Sequence, residues 1–396
     1  MFLDLHYAAP QSVIDAIASL GRTEDVRFSP SARRLAVASF LRNRVLVFDV
    51  QIGSGSGATR VALSGGVELS SPVLQWPHGV DFIDDATLIV TSRKGDVAIF
   101  SLPSGETHVP SLDAVPIARW PADRTTLLNA PGSVAVTRVD DHACEVLICN
   151  NSGHTVTRHL LSADAGRTLR HSEILLQKYL DIPDGVSLSP DRRWIAVSNH
   201  STHHVLLYEH SPALGADAEP DGILRRVAYP HGVRFSADGR HLFVADAGAP
   251  YLHIYAQDSD QWRGVRHPVA SVRIMDDVVF ERGRHNPEEG GPKGLDIHAG
   301  SDILVVTSEY QPLAFFDVPA LLQLALAGPS ARDQRALDIS HELGLMREGR
   351  RMAETAMEAS ALQNSLSWRI TAPLRRLNSI LRRYTRGAAK RPCPER

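Results

Sequence analysis

Apolar and polar positions follow one another along this chain in a repeating order. In "PDGVSLSPDRRWIAVSNHSTHHVLLYEH" (183–210) a short apolar run meets the turn "SPDRR". The almost wholly apolar "WIAVS" follows, then a polar loop, then the alternating "HVLLYE". Runs of this length between turn residues predict strands. A run without polar interruption predicts a strand covered on both faces, whereas alternation predicts one wetter face. The same order recurs in "TEDVRFSPSARRLAVASFLRNRVLVFDV" (23–50), "PHGVDFIDDATLIVTSRKGDVAIFSL" (77–102) and "PGSVAVTRVDDHACEVLICNNSGHTVTRHLL" (131–161). It recurs again in "YPHGVRFSADGRHLFVADAGAPYLHIYA" (229–256) and "PKGLDIHAGSDILVVTSEYQPLAFFDV" (292–318). Anchored on Val26, Val80, Val134, Val186, Val233 and Leu295, successive units lie 47 to 62 residues apart. A fourth, more polar candidate strand, such as "TRVALSG" or "ILRRVAY", fills the interval before the next unit.

Four antiparallel strands at that spacing predict an all-β chain, a six-bladed β-propeller of four-stranded blades over residues 1–320. The sixth unit supplies only three strands before the pattern stops near Val318. The N-terminal residues are therefore expected to complete its blade and close the ring, which removes exposed sheet edges. Helix-forming residues then predict a helical linker over 329–363 and a basic amphipathic tail over 364–396.

In a propeller the innermost strands line a central channel, so the residue two before each anchor is expected at its mouth. Those residues are Glu24, His78, Gly132, Asp184, His231 and Lys293. Sixfold order sets Glu24 against Asp184, His78 against His231, and Gly132 against Lys293. Two imidazoles and two carboxylates form a donor set for a divalent metal (Ca, Zn or Mn), with Asp184 and His231 as candidate catalytic groups. The alternative is a solvated ring of mutually paired charges. Lys293 is placed to pair with a ring carboxylate or to hold an anionic group. Asn150, Asn199, Asp246 and Glu309, at the ends of the buried strands, are further candidate ligand-binding residues. His200 extends that layer, but "NHSTHH" (199–204) as a whole reads as a surface loop whose side chains splay apart.

Composition narrows the classes. The chain is 43% hydrophobic and 22% charged with a net charge of -3, as expected of a globular protein with an ample core. Three cysteines make no disulfide framework, which points to a reducing compartment. The opening residues show no leader pattern, and no apolar run reaches the roughly 18 residues of a membrane span. A cytoplasmic location is expected, with peripheral attachment to the inner membrane face as an option. No nucleophile elbow, phosphate loop, Cys-x-x-Cys pair or dinucleotide fingerprint occurs. In the tail, Leu374, Leu377, Ile380, Leu381 and Tyr384 share one helical side, and Arg375, Arg376, Arg382, Arg383 and Arg386 share the other. With Trp368, this basic face is a candidate contact for an anionic membrane surface or a partner. Nucleic acid is not expected, since no aromatics interleave with the arginines.

The P-x-G-V/L-x-F/L-S-x-D-G pattern, cleanest at 183–192 and 230–239, resembles that of six-bladed propellers of the NHL-repeat and gluconolactonase (senescence-marker-protein) type. The likeness spans roughly residues 22 to 318. It implies a metal held by Glu24 and Asp184, with His78 and His231 where gluconolactonases carry asparagine. Amidating lyases with NHL repeats place zinc-binding histidines in such slots. The segment "SLSWRITAPLRRL" resembles a tail found at the ends of bacterial glycosyltransferases and methyltransferases of surface-polysaccharide synthesis. Together these likenesses imply a ligand-binding or scaffolding propeller in surface-polysaccharide assembly, whose partners would be a small sugar-like ligand or assembly proteins. The alternative they imply is a metal-dependent, lactonase-like hydrolase or lyase acting on a sugar derivative.

Overall fold

A computed structural model describes residues 4–327, apart from 54–59, 104–108, 163, 165, 286–287 and 299, and scattered positions between 334 and 361. It contains six antiparallel blades. Their inner strands are Thr23–Phe28, Pro77–Asp84, Pro131–Arg138, Pro183–Leu188, Pro230–Phe235 and Leu295–His298. The second strands are Arg34–Ser39, Thr87–Ser92, Ala143–Asn150, Trp194–Asn199, His241–Asp246 and Ile303–Val306. Apart from their first residues in blades one and five, these second strands are buried throughout, as their unbroken apolar runs require.

The core is divided into wedges between neighbouring blades. Val45, Val47 and Val67 of blade one meet Val80, Val90 and Phe100 of blade two in one cluster. Comparable clusters join blades two and three, three and four, four and five, and five and six. The last wedge joins Ile303, Val305 and Phe315 of blade six to Leu35, Leu46 and Phe48 of blade one. Burying a large apolar side chain in such a wedge stabilises by roughly 1.5–3 kcal/mol. The ring thus closes through packing as well as pairing.

Blade six has three strands, the third being Ala314–Asp317. The expected N-terminal contribution is present as a single antiparallel bridge, in which Leu5 N–H donates to Phe315 O at 2.7 Å. Tyr7 then stacks edge-on against Phe315, and Tyr7–Ala8 pairs parallel with the outer strand Val61–Ser70 of blade one. The helix Gln11–Ala18 follows and drives Val13 and Ile17 into the wedge between blades six and one. The first residues therefore straddle the seam.

The P-x-G motif has a steric basis. Inner strands of successive blades approach so closely that a Cβ on Gly185 would lie 2.1 Å from the His231 carbonyl oxygen. One on Gly232 would lie 2.6 Å from that of Lys293. The proline before the slot residue in blades two to six has no N–H to leave unpaired where the ladder with the second strand is interrupted. In blades one to five the register shifts at the slot, for example between Pro183 and Gly185 and between Pro230 and Val233. Such irregularities re-aim a side chain out of the regular alternation, here toward the axis.

Candidate metal centre on the propeller axis

The five ionisable slot residues converge, and all are buried: Glu24 and His78 are 1% exposed, Asp184 and His231 3%, Lys293 4%. They do not form a solvated rim. Strain accompanies the arrangement, because Trp76, Ala130 and Ile182, each just before a slot proline, hold positive φ values of 51–58°. Non-glycine residues in that region cost on the order of 1 kcal/mol or more and persist where surrounding structure fixes them.

The rings of His78 and His231 stack with centroids 5.3 Å apart. His231 Nε2 lies 3.1 Å from Glu24 Oε2 and 3.2 Å from Asp184 Oδ2. His78 Nε2 lies 3.4 Å from Asp184 Oδ1 and 3.8 Å from Glu24 Oε2. Four ligands held tetrahedrally at ~2.1 Å would be about 3.4 Å apart, so these separations suit a shared cation. Glu24, His78 and His231 form the compact group, with all donor atoms within 4.8 Å of one another. Asp184 lies outside this group of three but is within 3.4 Å of both imidazoles. The Arg93 guanidinium hydrogen-bonds Asp184 and lies 2.8 Å from His78 Nε2. Glu24 Oε2 is buried without a hydrogen bond, although His231 Nε2 and Lys293 Nζ (3.2 Å) face it.

Burial alone would raise the Glu24 carboxyl, but Lys293 and Arg22, with His231 and His78, hold it well below the usual range. Burial likewise works against Asp184, which His231, Arg93, His78 and His200 bring well down. His78 is pressed well below its ordinary value by burial and then by Arg93, against the pull of Asp184 and Glu24. The site therefore presents charged carboxylates and a neutral His78, the forms that bind a metal.

Several axial groups escaped the slot count. Gly132 leaves a gap in blade three, and Asn151 fills it: a Cβ on Gly132 would meet Asn151 Oδ1 at 2.2 Å, and Asn151 Nδ2 donates to Asp184 at 2.8 Å. Arg93, Asn151 and His200 each follow the last residue of a second strand, and Phe40, at the same place in blade one, packs edge-on against His78. Asn150, Asn199 and Asp246 lie one residue earlier and face the other way, as period-two alternation demands. Asn150 Oδ1 accepts from Asn129 N–H, Asn199 Oδ1 from Asp181 N–H, and Asp246 from Ala228 and Tyr229 N–H. Each side chain thus latches the loop that leads into its own blade's slot. Glu309 pairs with His285 at 2.8 Å and, with Arg22, lines a cleft of about 770 Å³ beside the N-terminal helix.

The histidine-rich run departs from its expected form. A 3-10 turn at His200–Thr202 and a left-handed His203 (φ 56°) fold "NHSTHH" inward, so His200, His203 and His204 are all buried. His200 reaches Asp184 Oδ2 at 3.6 Å and Glu289 Oε1 at 3.2 Å. Trp368, Arg375, Arg376, Arg382 and Arg383 lie outside the described residues. Among the described residues no helix is long and apolar enough to cross a membrane.

No protein-family model matches the chain, and no curated protein matches it. Among solved structures it is similar to a luciferin-regenerating enzyme, at 12% identity over 76% of this chain and 92% of that one, with a TM-score of 0.48. It is also similar to a functionally unknown protein from Desulfotomaculum acetoxidans, at 13% identity over 75% of this chain and 83% of that one, with a TM-score of 0.45. At these identities neither likeness speaks to substrate or chemistry.

Proposed function

We propose that Glu24, His78 and His231 hold a divalent transition-metal ion and that the protein is a metal-dependent hydrolase or lyase of a small polar molecule. The observation that carries this reading is the convergence of two imidazoles and a carboxylate, all buried, with their donor atoms within 4.8 Å of one another. Two nitrogens and one oxygen suit Zn or Mn; Ca prefers an all-oxygen shell, so calcium leaves the expected set. A cation held there would supply Lewis acidity to a carbonyl or a water molecule. Asp184, kept ionised next to the triad, is the proton acceptor, and Arg93 orients it. Lys293 holds Glu24 in place from the neighbouring blade.

The scaffold reading in surface-polysaccharide assembly rests on residues 364–396, outside those described, and no feature of the axis favours it over the metal reading. Elemental analysis of the purified protein tests the proposal. About one Zn or Mn per chain is expected, falling to background in His231→Ala and Glu24→Gln while the circular dichroism of both variants stays that of the wild type. A wild-type protein that takes up no transition metal after dialysis against Zn and Mn sinks it.

A further inference from the structure

Beyond Glu24 on the axis, three cations from three blades close on one carboxylate. Glu289 accepts from Lys293 Nζ at 2.7 Å and faces His200 Nε2 at 3.2 Å and Arg22 Nη2 at 3.5 Å. Lys293 occupies the slot of blade six, His200 follows the second strand of blade four, and Arg22 precedes the inner strand of blade one. Glu289 belongs to none of the repeats; it lies between the helix Asp277–Gly283 and blade six. Its backbone is pinned, because Gly290 and Gly291 N–H both donate to Ala247 O at 2.8 Å. A Cβ on Gly291 would lie 2.2 Å from Asp246 O, so the chain there has no slack and movement is left to the Glu289 side chain. Lys293 Nζ is also 3.2 Å from Glu24 Oε2, so a carboxylate on Lys293 neighbours the metal-donor oxygen.

We propose that this three-cation cup is the site for a substrate carboxylate, and that Glu289 occupies it as an internal substitute until such a ligand displaces it. The inference builds on the metal reading in one respect: a ligand carboxylate in the cup turns its neighbouring oxygen toward the triad. The ligand class follows as a small carboxylate with an oxygen function on the adjacent carbon, such as a hydroxy acid or a sugar acid. Lysine supplies a point charge, arginine a planar fork and histidine a third donor, which together match a carboxylate's two oxygens. A neutral sugar in the same place would leave Lys293 and Arg22 to share the single carboxylate of Glu24, an unfavourable exchange.

Opening the cup tests the idea. In metal-free protein, acetate and glycolate are expected to raise the unfolding temperature of Glu289→Ala far more than equal chloride does. Their affinity for the variant, by calorimetric titration, should be at least about tenfold tighter than for the wild type, whose cup is already filled. Adding Lys293→Met to the variant should abolish the response. Equal effects of acetate and chloride, or equal affinity in variant and wild type, overturn the proposal. Should Glu289→Ala not fold, Glu289→Gln takes its place and must show the same carboxylate preference. Carboxylate binding without metal uptake leaves the cup standing while the metal reading falls; metal uptake without carboxylate preference does the reverse.

Discussion

Three residues beyond the slot in four of the six blades, the same inner strands build a second layer of charge that behaves in the opposite way. In the slot layer the carboxylates are drawn down by cations, His78 is neutral, and an acceptor oxygen lacks a hydrogen bond. In the deeper layer Arg27, Asp81, Arg234 and Asp296 face the axis with Asp25, and they bond chiefly to backbone. Asp25 accepts from Val80 N–H, Asp81 from Val136 N–H and Asp296 from Phe28 N–H, each on the next blade around the ring. Arg27 donates to Leu295 O and Val134 O, and Arg234 to Val186 O. An inner strand is an edge with unsatisfied backbone groups; here neighbouring blades satisfy them. Burial lifts Asp25 to about 6 and Asp81 to about 7 despite the attraction of Arg27. The deeper layer joins blade to blade, whereas the slot layer bonds chiefly among its own side chains.

Removing Arg27 should separate the two layers most sharply. Arg27→Met leaves Asp25 and Asp81 without their cation, and breaking a buried pair on one side costs about 3–5 kcal/mol. Denaturant unfolding should show that loss, while metal bound per folded chain stays at the wild-type value. A fall in both would mean the layers are one unit.

A pH series gives the next effect. Asp81 titrates near 7 folded but near its ordinary 3.8 unfolded, so its contribution is full below about 4 and declines as pH rises toward about 7. Arg27 at 4.0 Å and the Asp296 charge are the groups it faces. Glu24 and Asp184 have the opposite sign: they favour the fold above the ordinary carboxylate range and lose that effect as pH falls below it. Asp81→Asn should therefore reduce the fall of stability between pH 4 and 7 by up to ~1.4 kcal/mol per pH unit, the slope for one proton, leaving the part due to Asp25. An unchanged slope would place the titration elsewhere.

The smallest effect is expected away from the axis. Asn150→Ser should loosen the loop before blade three by about 1–2 kcal/mol, read as a lower unfolding midpoint, with metal content unaffected. A metal loss here would show that the latch sets the geometry of the triad.

The blades and the slot ring were legible because a repeat turns position along the chain into position around an axis. Counting two before each anchor reached Glu24, His78, Asp184, His231 and Lys293, and counting one after the anchors of blades one, two, five and six would have reached Arg27, Asp81, Arg234 and Asp296. Arg93 and Asn151 were hidden by a single residue, since a strand end turns its side chain over at every step. Glu289 could not be reached by any such count, because it arrives from an insertion with no counterpart in the other blades. The burial of "NHSTHH" depended on a left-handed His203, a conformation that a run of polar residues does not announce.

The bridge between Leu5 and Phe315 ties assembly of the centre to the order of synthesis. Glu24 is made early and Lys293 late, and they become partners only when the seam between the first and last blades shuts. Long-range closure of this kind is slow compared with forming a single blade. A nascent or partly opened ring therefore carries Glu24 without its lysine. Binding competence should appear in the final kinetic phase of refolding, after most of the strands are already in place.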